Sequence, residues 1–263
     1  MRIALAQINP TVGDLLGNAD KIIAWSREAL DQHCTAAIFP ELALLGYPPK
    51  DLLLKRDFIE ESLRQLERIA TETAGLDVLV GYAEPNRDPA GRPLHNAVAL
   101  LRGGEVVSKH FKTLLPTYDV FDESRYFEPG PNDERNNIID FAAGDDSIPV
   151  GVSICEDLWN DERLISRRLY HTNPIRDLHQ HGAKLLVNAS ASPFVVGKHE
   201  FRHKLFASQT KAVGVPLLYV NQVGGNDELV FDGASCAFND RGECVAQAKA
   251  FEEDLLVVDF AGS

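Results

Sequence analysis

The sequence predicts an α/β fold in which two mixed β-sheets pack together and helices cover them on the outside. About a dozen segments have the apolar, β-branched character of strands, too many for a simple alternating βαβ sheet with roughly four or five helices. Two strand pairs carry hairpin signatures, with connections at Arg102-Gly103-Gly104 and Asn239-Asp240-Arg241-Gly242. The 263 residues, 44% of them hydrophobic, suit one domain with a large core. We expect this domain to cover residues 1–260, with 261–263 a tail or the start of a linker.

The first half of the chain is predicted to contain five strands and two helices. Turn residues end each strand, and the apolar positions of both helices recur with a 3.6-residue period. The strands are expected at 3–8, 36–39, 78–83, 96–101 and 105–111, and the helices at about 18–33 and 58–74. Residues 113–136 show little periodicity but hold several aromatic side chains, which favours an ordered loop that covers a site.

The second half is predicted to contain seven strands and three helices. The strands are expected at 137–141, 148–154, 183–189, 216–222, 234–238, 244–249 and 255–260. Helices are expected at about 161–170 and 200–213, and a third begins at Asn173-Pro174, where an N-cap precedes proline, and ends before Gly182.

Charge and composition exclude several classes of function. The net charge of −13 argues against nucleic acid or an anionic membrane as a partner. No apolar run approaches the roughly 18 residues of a membrane span, and the N-terminus has no signal-peptide layout, so we expect a cytoplasmic protein. The cysteines and histidines lack the spacing of metal ligands, and we expect no metal site.

Three reactive side chains stand directly after predicted strands: Glu41, Lys112 and Cys155. The segment from Ile148 to Ile154 is an apolar strand, and Cys155 follows it at the predicted start of a helix. The positive end of a helix favours a thiolate, which would make Cys155 a nucleophile. Taken alone, the same pattern is more often that of a small buried core residue, which is what most lone cysteines are.

The three motifs resemble those of the nitrilase, or carbon–nitrogen hydrolase, superfamily. They are Phe39-Pro40-Glu41-Leu42, His110-Phe111-Lys112-Thr113 and Ile154-Cys155-Glu156-Asp157, in the chain order of that family's Glu–Lys–Cys triad. The resemblance runs from residue 3 to residue 260. It implies a four-layer α-β-β-α sandwich and hydrolysis of an amide without a cofactor.

A finer resemblance is to one branch, the N-terminal glutaminase domains of glutamine-dependent NAD⁺ synthetases. It rests on Gly46-Tyr47, on the run from Lys112 to Tyr118, and on Asn188-Ala189-Ser190-Ala191-Ser192-Pro193-Phe194. The resemblance implies Cys155 as nucleophile, Glu41 as base, Lys112 as charge stabiliser and Glu123 as the carboxylate that orients the lysine. It places Tyr47, Tyr118, Glu156, Ser192 and Lys198 around the glutamine; Lys198 stands where many members have arginine.

The resemblance also implies a partner. The full synthetases carry an ATP-dependent domain with a Ser-Gly-Gly-x-Asp-Ser phosphate loop, and no such run occurs in this sequence. ATP and Mg²⁺ are therefore expected only in that absent domain, which would lie in a longer chain or in a separate one. We also expect a homo-oligomer.

Two alternatives stay open. One is a free-standing amidase or carbamoylase of the same superfamily that acts on another small amide. The other is a regulatory or assembly domain that has kept the fold without the activity.

Overall fold

Two six-stranded mixed sheets form the centre of the molecule in the computed structural model, which describes residues 1–131, 137–143, 146–165 and 169–260. The first sheet contains β1 (Arg2–Gln7), β2 (Ala36–Ile38), β3 (Asp77–Pro85), β4 (Leu94–Arg102), β5 (Glu105–Phe111) and β14 (Asp254–Asp259). The second contains β6 (Ile138–Ala143), β7 (Asp146–Ile154), β8 (Leu185–Ser190), β9 (Leu217–Asn221), β12 (Cys236–Phe238) and β13 (Cys244–Gln247). A separate hairpin consists of β10 (Val223–Asn226) and β11 (Leu229–Asp232).

In the described part of the chain, four α-helices lie outside the sheets. They are α1 (Leu15–Asp31), α2 (Arg56–Glu72), α3 (Pro174–Gln180) and α4 (Lys198–Val213). The Asp14 carboxylate caps α1 by accepting from the backbone N–H of Gly17, and the Asn173 side chain caps α3, whose first residue is proline.

Each sheet is parallel at its centre and antiparallel at its edges. In the first sheet the order is β14-β1-β2-β3-β4-β5, with β1, β2 and β3 parallel. In the second the order is β13-β12-β9-β8-β7-β6, with β7, β8 and β9 parallel. The parallel strands point their carboxyl ends the same way, and this is where ligand sites collect in α/β proteins.

Three apolar clusters define the layers. One lies between the two sheets and includes Leu5, Ile38, Val152 and Val187. The other two lie between each sheet and its own helices, α1 and α2 on one side and α3 and α4 on the other. The alternation of side chains along each strand supplies both faces, so the central strands are buried on both faces and mostly apolar. The predicted four-layer α-β-β-α sandwich is confirmed.

Two local predictions need correction. The helix expected at 161–170 is absent from the described part of that segment, where residues 162–164 form a turn; residues 166–168 lie outside the description. The β10–β11 hairpin was not predicted, because Gly224 and Gly225 suggest the end of a strand rather than its interior. The predicted tail 261–263 also lies outside the described residues. Among the residues that are described, no helix is long and apolar enough to cross a membrane.

Candidate active site

Glu41, Lys112 and Cys155 follow β2, β5 and β7, and the fold brings them together where the ends of the two sheets meet. Glu41 and Lys112 come from the first sheet and Cys155 from the second. The Lys112 Nζ lies 2.6 Å from Glu41 Oε1, and both residues are fully buried. The grouping that the strand ends predict is therefore present.

Glu123 completes the charged cluster. It lies in a 3₁₀ turn, Glu123–Arg125, within the long loop after β5, and both of its carboxylate oxygens are 2.8 Å from Lys112 Nζ. Tyr47 donates to Glu123 Oε1 at 2.8 Å. One ammonium thus faces two carboxylates in a volume closed to solvent, an arrangement that is costly unless its hydrogen bonds are well made.

A tight backbone turn presents Cys155. Its φ of 42° lies in the left-handed region, and it is the first residue of a 3₁₀ turn, Cys155–Leu158, rather than of the longer helix that the sequence predicts. Asp157 stabilises this turn: its Oδ2 accepts from the backbone N–H of Ile154 at 3.0 Å. Its Oδ1 accepts from the backbone N–H groups of Thr113 and Leu114 at 3.1 and 2.8 Å, which ties the nucleophile turn to the segment after Lys112.

The electrostatics of the site favour the protonated form of the Cys155 thiol. Burial raises the pKa of the Cys155 thiol well above its ordinary value, the charge of Glu41 adds to this, and Lys112 opposes it. The expectation of a thiolate stabilised by a helix is therefore wrong for this state, because burial beside carboxylates outweighs a single 3₁₀ turn. Cys155 needs a base, and Glu41 is the carboxylate placed to serve as one.

Lys112 and Glu123 respond to the same surroundings in different ways. Burial disfavours the charge of Lys112, but Glu123 and Glu41 outweigh it, so that the pKa of Lys112 is raised well above its ordinary value. Burial raises the pKa of Glu123 to about 7; the Lys112 charge opposes this shift and Glu41 adds to it. Lys112 is therefore a fixed cation, and Glu123 exchanges its proton near neutral pH.

The predicted glutamine-binding residues divide into two groups. Tyr47 belongs to the buried charged cluster through its bond to Glu123. Tyr118 and Glu156 form the second group: the Tyr118 hydroxyl lies 3.0 and 2.9 Å from the two Glu156 oxygens. Tyr170, which the sequence analysis missed, donates to Glu156 Oε1 at 3.0 Å. The Glu156 carboxylate is therefore held from two sides.

Lys198 and Ser192 are the two remaining residues that the sequence predicts to bind glutamine. Lys198 is the first residue of α4, and its Nζ lies 5.1 Å from the centre of the Trp159 ring. Burial lowers the pKa of Lys198, and the charge of Glu156 acts on it in the opposite direction. Ser192 is buried directly after β8, and its backbone N–H donates to Asn221 Oδ1 at 2.8 Å.

Asn96 is a second contact that the sequence analysis missed. Its Nδ2 donates to Glu41 Oε1 at 2.7 Å, and the residue is almost completely buried. The backbone N–H of Ala191, after β8, donates to Glu41 Oε2 at 3.0 Å.

In the described part of the chain, including this site, no three His, Cys, Asp or Glu side chains are grouped to hold a metal ion.

Comparison with known proteins places this geometry in context. The family model described as carbon–nitrogen hydrolase matches residues 2–262. The chain is 42% identical over 262 residues to a glutamine-dependent NAD⁺ synthetase of Synechocystis, which aligns with 98% of this chain and 46% of the relative. A synthetase of the same name from Thermotoga maritima is 39% identical, with 98% of this chain and 42% of the relative aligned.

Solved structures resemble the same region. A glutamine-dependent NAD⁺ synthetase of Acinetobacter baumannii superposes with a TM-score of 0.85 at 32% identity, over 97% of this chain and 44% of that one. An amidase of Nesterenkonia from the nitrilase superfamily superposes with a TM-score of 0.79 at 23% identity, which shows the fold alone. The chain spans a little under half the length of the synthetases that it matches.

Proposed function

The chain belongs to the carbon–nitrogen hydrolase family, and on this premise we propose that it hydrolyses the side-chain amide of L-glutamine through a cysteinyl thioester. The observation that carries the proposal is the buried arrangement of Glu41, Lys112 and Cys155 beside the Glu156 carboxylate. The first three are a base, a cation and a nucleophile, and Glu156 is an acceptor suited to an α-ammonium group.

Acylation begins with the transfer of the Cys155 proton to Glu41. The sulfur attacks the amide carbon, and the carbonyl electron pair moves to oxygen, which becomes an oxyanion. Lys112 and a backbone N–H beside Glu156 stabilise that charge. When the carbon–nitrogen bond breaks, Glu41 returns the proton to nitrogen, and ammonia leaves a thioester on Cys155.

Deacylation uses the same groups in reverse roles. Glu41 takes a proton from water as the oxygen attacks the thioester carbon, the carbon–sulfur bond breaks, and the proton returns to the sulfur of Cys155. Glutamate is released, and the enzyme regains its starting protonation. No redox change and no cofactor are needed for this half-reaction.

Lys112 acts through its charge in this scheme. All three carboxylate oxygens within hydrogen-bond distance of Nζ belong to Glu41 and Glu123. An ammonium has three N–H donors, so a direct bond to an oxyanion requires that one of these contacts be released. One of the two bonds to Glu123 can be released, because the other oxygen of Glu123 still holds the lysine.

Glutamine recognition uses the residues around Glu156. We assign the α-ammonium to Glu156, which Tyr118 and Tyr170 orient, and the α-carboxylate to Lys198 with help from Ser192. Lysine supplies a point charge where arginine would supply a two-pronged contact.

The ammonia has an acceptor elsewhere. The relatives are named glutamine-dependent NAD⁺ synthetases, and this chain spans 46% of the Synechocystis protein. We propose that the ammonia serves ATP-dependent amidation of deamido-NAD⁺ in a synthetase domain, in the same polypeptide or in a separate chain. ATP and Mg²⁺ belong to that domain.

The experiment is glutamine hydrolysis by the parent and by Cys155→Ala, with mass spectrometry of the quenched parent. We expect the parent to form glutamate and ammonia and to carry a γ-glutamyl adduct on Cys155. The variant should show neither the products nor the adduct. A panel of other small amides and carbamoyl compounds runs in parallel. Higher kcat/KM for one of these than for glutamine would make the chain an amidase of another specificity. Iodoacetamide labelling of Cys155 no faster than that of Cys34 would contradict an enzymatic role.

A coupled assay tests the partner. Deamido-NAD⁺, ATP, Mg²⁺ and a separately produced synthetase domain are added to the parent with glutamine as the nitrogen source. We expect NAD⁺ to form with the parent and not with Cys155→Ala, while added ammonia supports both. NAD⁺ formation from glutamine that does not depend on Cys155 would contradict the proposed supply of ammonia.

A further inference from the structure

The hydrogen bonds to Glu41 are distributed unequally between its two oxygens. Oε1 accepts from Lys112 Nζ at 2.6 Å and from Asn96 Nδ2 at 2.7 Å. Oε2 accepts from the backbone N–H of Ala191 at 3.0 Å. A carboxylate oxygen has two lone pairs in its plane, so Oε1 has no free position and Oε2 has one.

The Asn96 amide is aimed at this carboxylate by its place in the sheet. The residue is in β4, opposite Ala83 of β3, and its backbone oxygen accepts from the N–H of Lys112 at 2.9 Å. Its Nδ2 also lies 3.4 Å from Glu123 Oε2. Asn96 therefore contacts all three members of the charged cluster.

The orientation of the amide has a cost that indicates its role. Asn96 Oδ1 is buried and has no hydrogen-bond partner in the described part of the chain. A flipped amide would direct this oxygen at the carboxylates of Glu41 and Glu123, which would repel it. A buried acceptor without a partner is unfavourable, and here it accompanies an amide N–H group that contacts the carboxylates of Glu41 and Glu123.

We infer that Asn96 is a positioning residue that occupies Oε1 of Glu41 and leaves Oε2 as the oxygen that carries the proton. In the acylation step, the proton leaves Cys155 Sγ for Glu41 Oε2 and then moves from Oε2 to the departing nitrogen. Asn96 neither gains nor loses a proton. This inference rests on the proposed function only for the identity of the amide, since the acceptor oxygen is the same for any amide.

The titratable groups that face Glu41 are Lys112, Glu123, Cys155 and Tyr47. Lys112 and Tyr47 keep their protons throughout the working range, since the pKa of each is raised well above its ordinary value. Without the Asn96 donor, Oε1 has a free position, so the proton of Cys155 is no longer directed to Oε2 alone. Proton transfer from Cys155 should therefore slow, while glutamine binding, which uses other residues, stays close to that of the parent.

The experiment compares Asn96→Ala and Asn96→Leu with the parent. Alanine leaves a cavity and leucine fills it, but both lack the donor. We expect both to lower kcat at pH 7 by about 10- to 100-fold, with the KM for glutamine changed by less than about threefold.

Alkylation of Cys155 by iodoacetamide gives the same comparison without glutamine. Its rate at pH 7 should fall in both variants, so this result stands even if the parent fails to hydrolyse glutamine. In that case the proposed function fails and the inference does not.

Asn18→Ala is the matched control. Asn18 is a buried amide with three hydrogen bonds to Thr11 and Leu44 and none to Glu41, Lys112 or Cys155. Asn18→Ala should lose stability but keep the kcat and the Cys155 alkylation rate of the parent. Asn96 variants whose kinetic and alkylation profiles superimpose on those of the parent would overturn the inference and leave Asn96 a structural residue. If Asn96→Ala fails to fold, Asn96→Leu decides between the two results.

Discussion

Glu123 contacts Lys112 through both of its carboxylate oxygens, each 2.8 Å from Nζ. Because Glu41 also lies on that ammonium, one buried cation faces two carboxylates. Burial and the excess negative charge together favour the protonated form of Glu123 and raise its pKa to about 7. The stability of the protein should therefore depend on the proton of Glu123.

The first prediction concerns this dependence. The pKa of Glu123 is about 7 in the folded protein and near 4.5 in the unfolded chain. Between these values the folded state binds more protons, so Glu123 makes the free energy of unfolding fall as the pH rises through this window. Glu123→Gln should remove this contribution. We expect urea midpoints at pH 5 and pH 7.5 to differ less in the variant than in the parent.

The matched control for this measurement is Glu67→Gln, a change of an exposed glutamate on α2. It should retain the pH dependence of the parent. Equal pH dependence in Glu123→Gln and in the parent would contradict the prediction.

The second prediction separates stability from catalysis at Lys112. Lys112→Met leaves two buried carboxylates without their cation, which should lower the free energy of unfolding by about 3–5 kcal/mol at pH 7.5. The double change Lys112→Met with Glu123→Gln removes one of these charges and should recover part of that loss. Glutamine hydrolysis should stay undetectable in both, because neither supplies a positive charge. Activity in the double variant above a few per cent of the parent would show that Lys112 has a structural role only.

The third prediction concerns the close contact between β3 and the turn that carries Glu41. A Cβ at Gly81 would lie 2.3 Å from the Pro40 carbonyl oxygen and 2.4 Å from the Leu42 backbone nitrogen. Gly81→Ala must therefore displace this turn. We expect a loss of stability of roughly 1–3 kcal/mol and a fall in kcat of at least about tenfold.

Gly75→Ala is the control, since its Cβ would meet only Leu30 Cδ2 at 3.6 Å, an ordinary contact. It should stay close to the parent in thermal midpoint and in kcat. A Gly81→Ala protein with the kcat of the parent would show that the turn adjusts without moving Glu41.

The fourth prediction concerns substrate binding at Lys198. This side chain lies over the Trp159 ring, close enough to Glu156 for the carboxylate charge to act on it. Lys198→Met should raise the KM for glutamine by about tenfold or more and change kcat less, because it removes a contact made equally in the ground and transition states. Lys198→Arg should retain most of the affinity.

Lys204→Met tests whether loss of charge on α4 matters in general, since Lys204 is an exposed lysine of the same helix. It should leave the KM unchanged. A KM in Lys198→Met equal to that of the parent would assign the α-carboxylate of glutamine to other residues.

The sequence predicts the parts of this site that follow strands. Glu41 and Cys155 each stand where the apolar run of a parallel strand ends, which is where ligand sites collect, and Lys112 follows β5, an antiparallel edge strand that the hairpin signature predicts. Asn96 was not predicted as a site residue, because a polar residue near the start of a hairpin strand suggests a solvent-facing position. Only the pairing of β4 with β3 shows that it is buried.

Tyr170 escaped prediction for a different reason. The segment before it has a helical pattern, but its described part forms a turn, and no local signal directs the hydroxyl to Glu156. The prediction of a thiolate at Cys155 was also wrong, because the pKa of a thiol depends on its burial and on carboxylates that are distant in the sequence. Long-range neighbours of this kind are known only from the fold.

The bond from the Ala191 N–H to Glu41 joins residues that are 150 positions apart and belong to different sheets. Glu41 and Cys155 are likewise supplied by different sheets, so neither sheet alone contains a working site. Closing contacts of such long range is slow, because chain entropy is lost before the contacts reward it. During refolding, recovery of activity should therefore lag behind recovery of secondary structure. The nucleophile gains its base only when the two halves of the chain have docked, so a nascent chain that has made only β1 to β5 carries no exposed amidase chemistry.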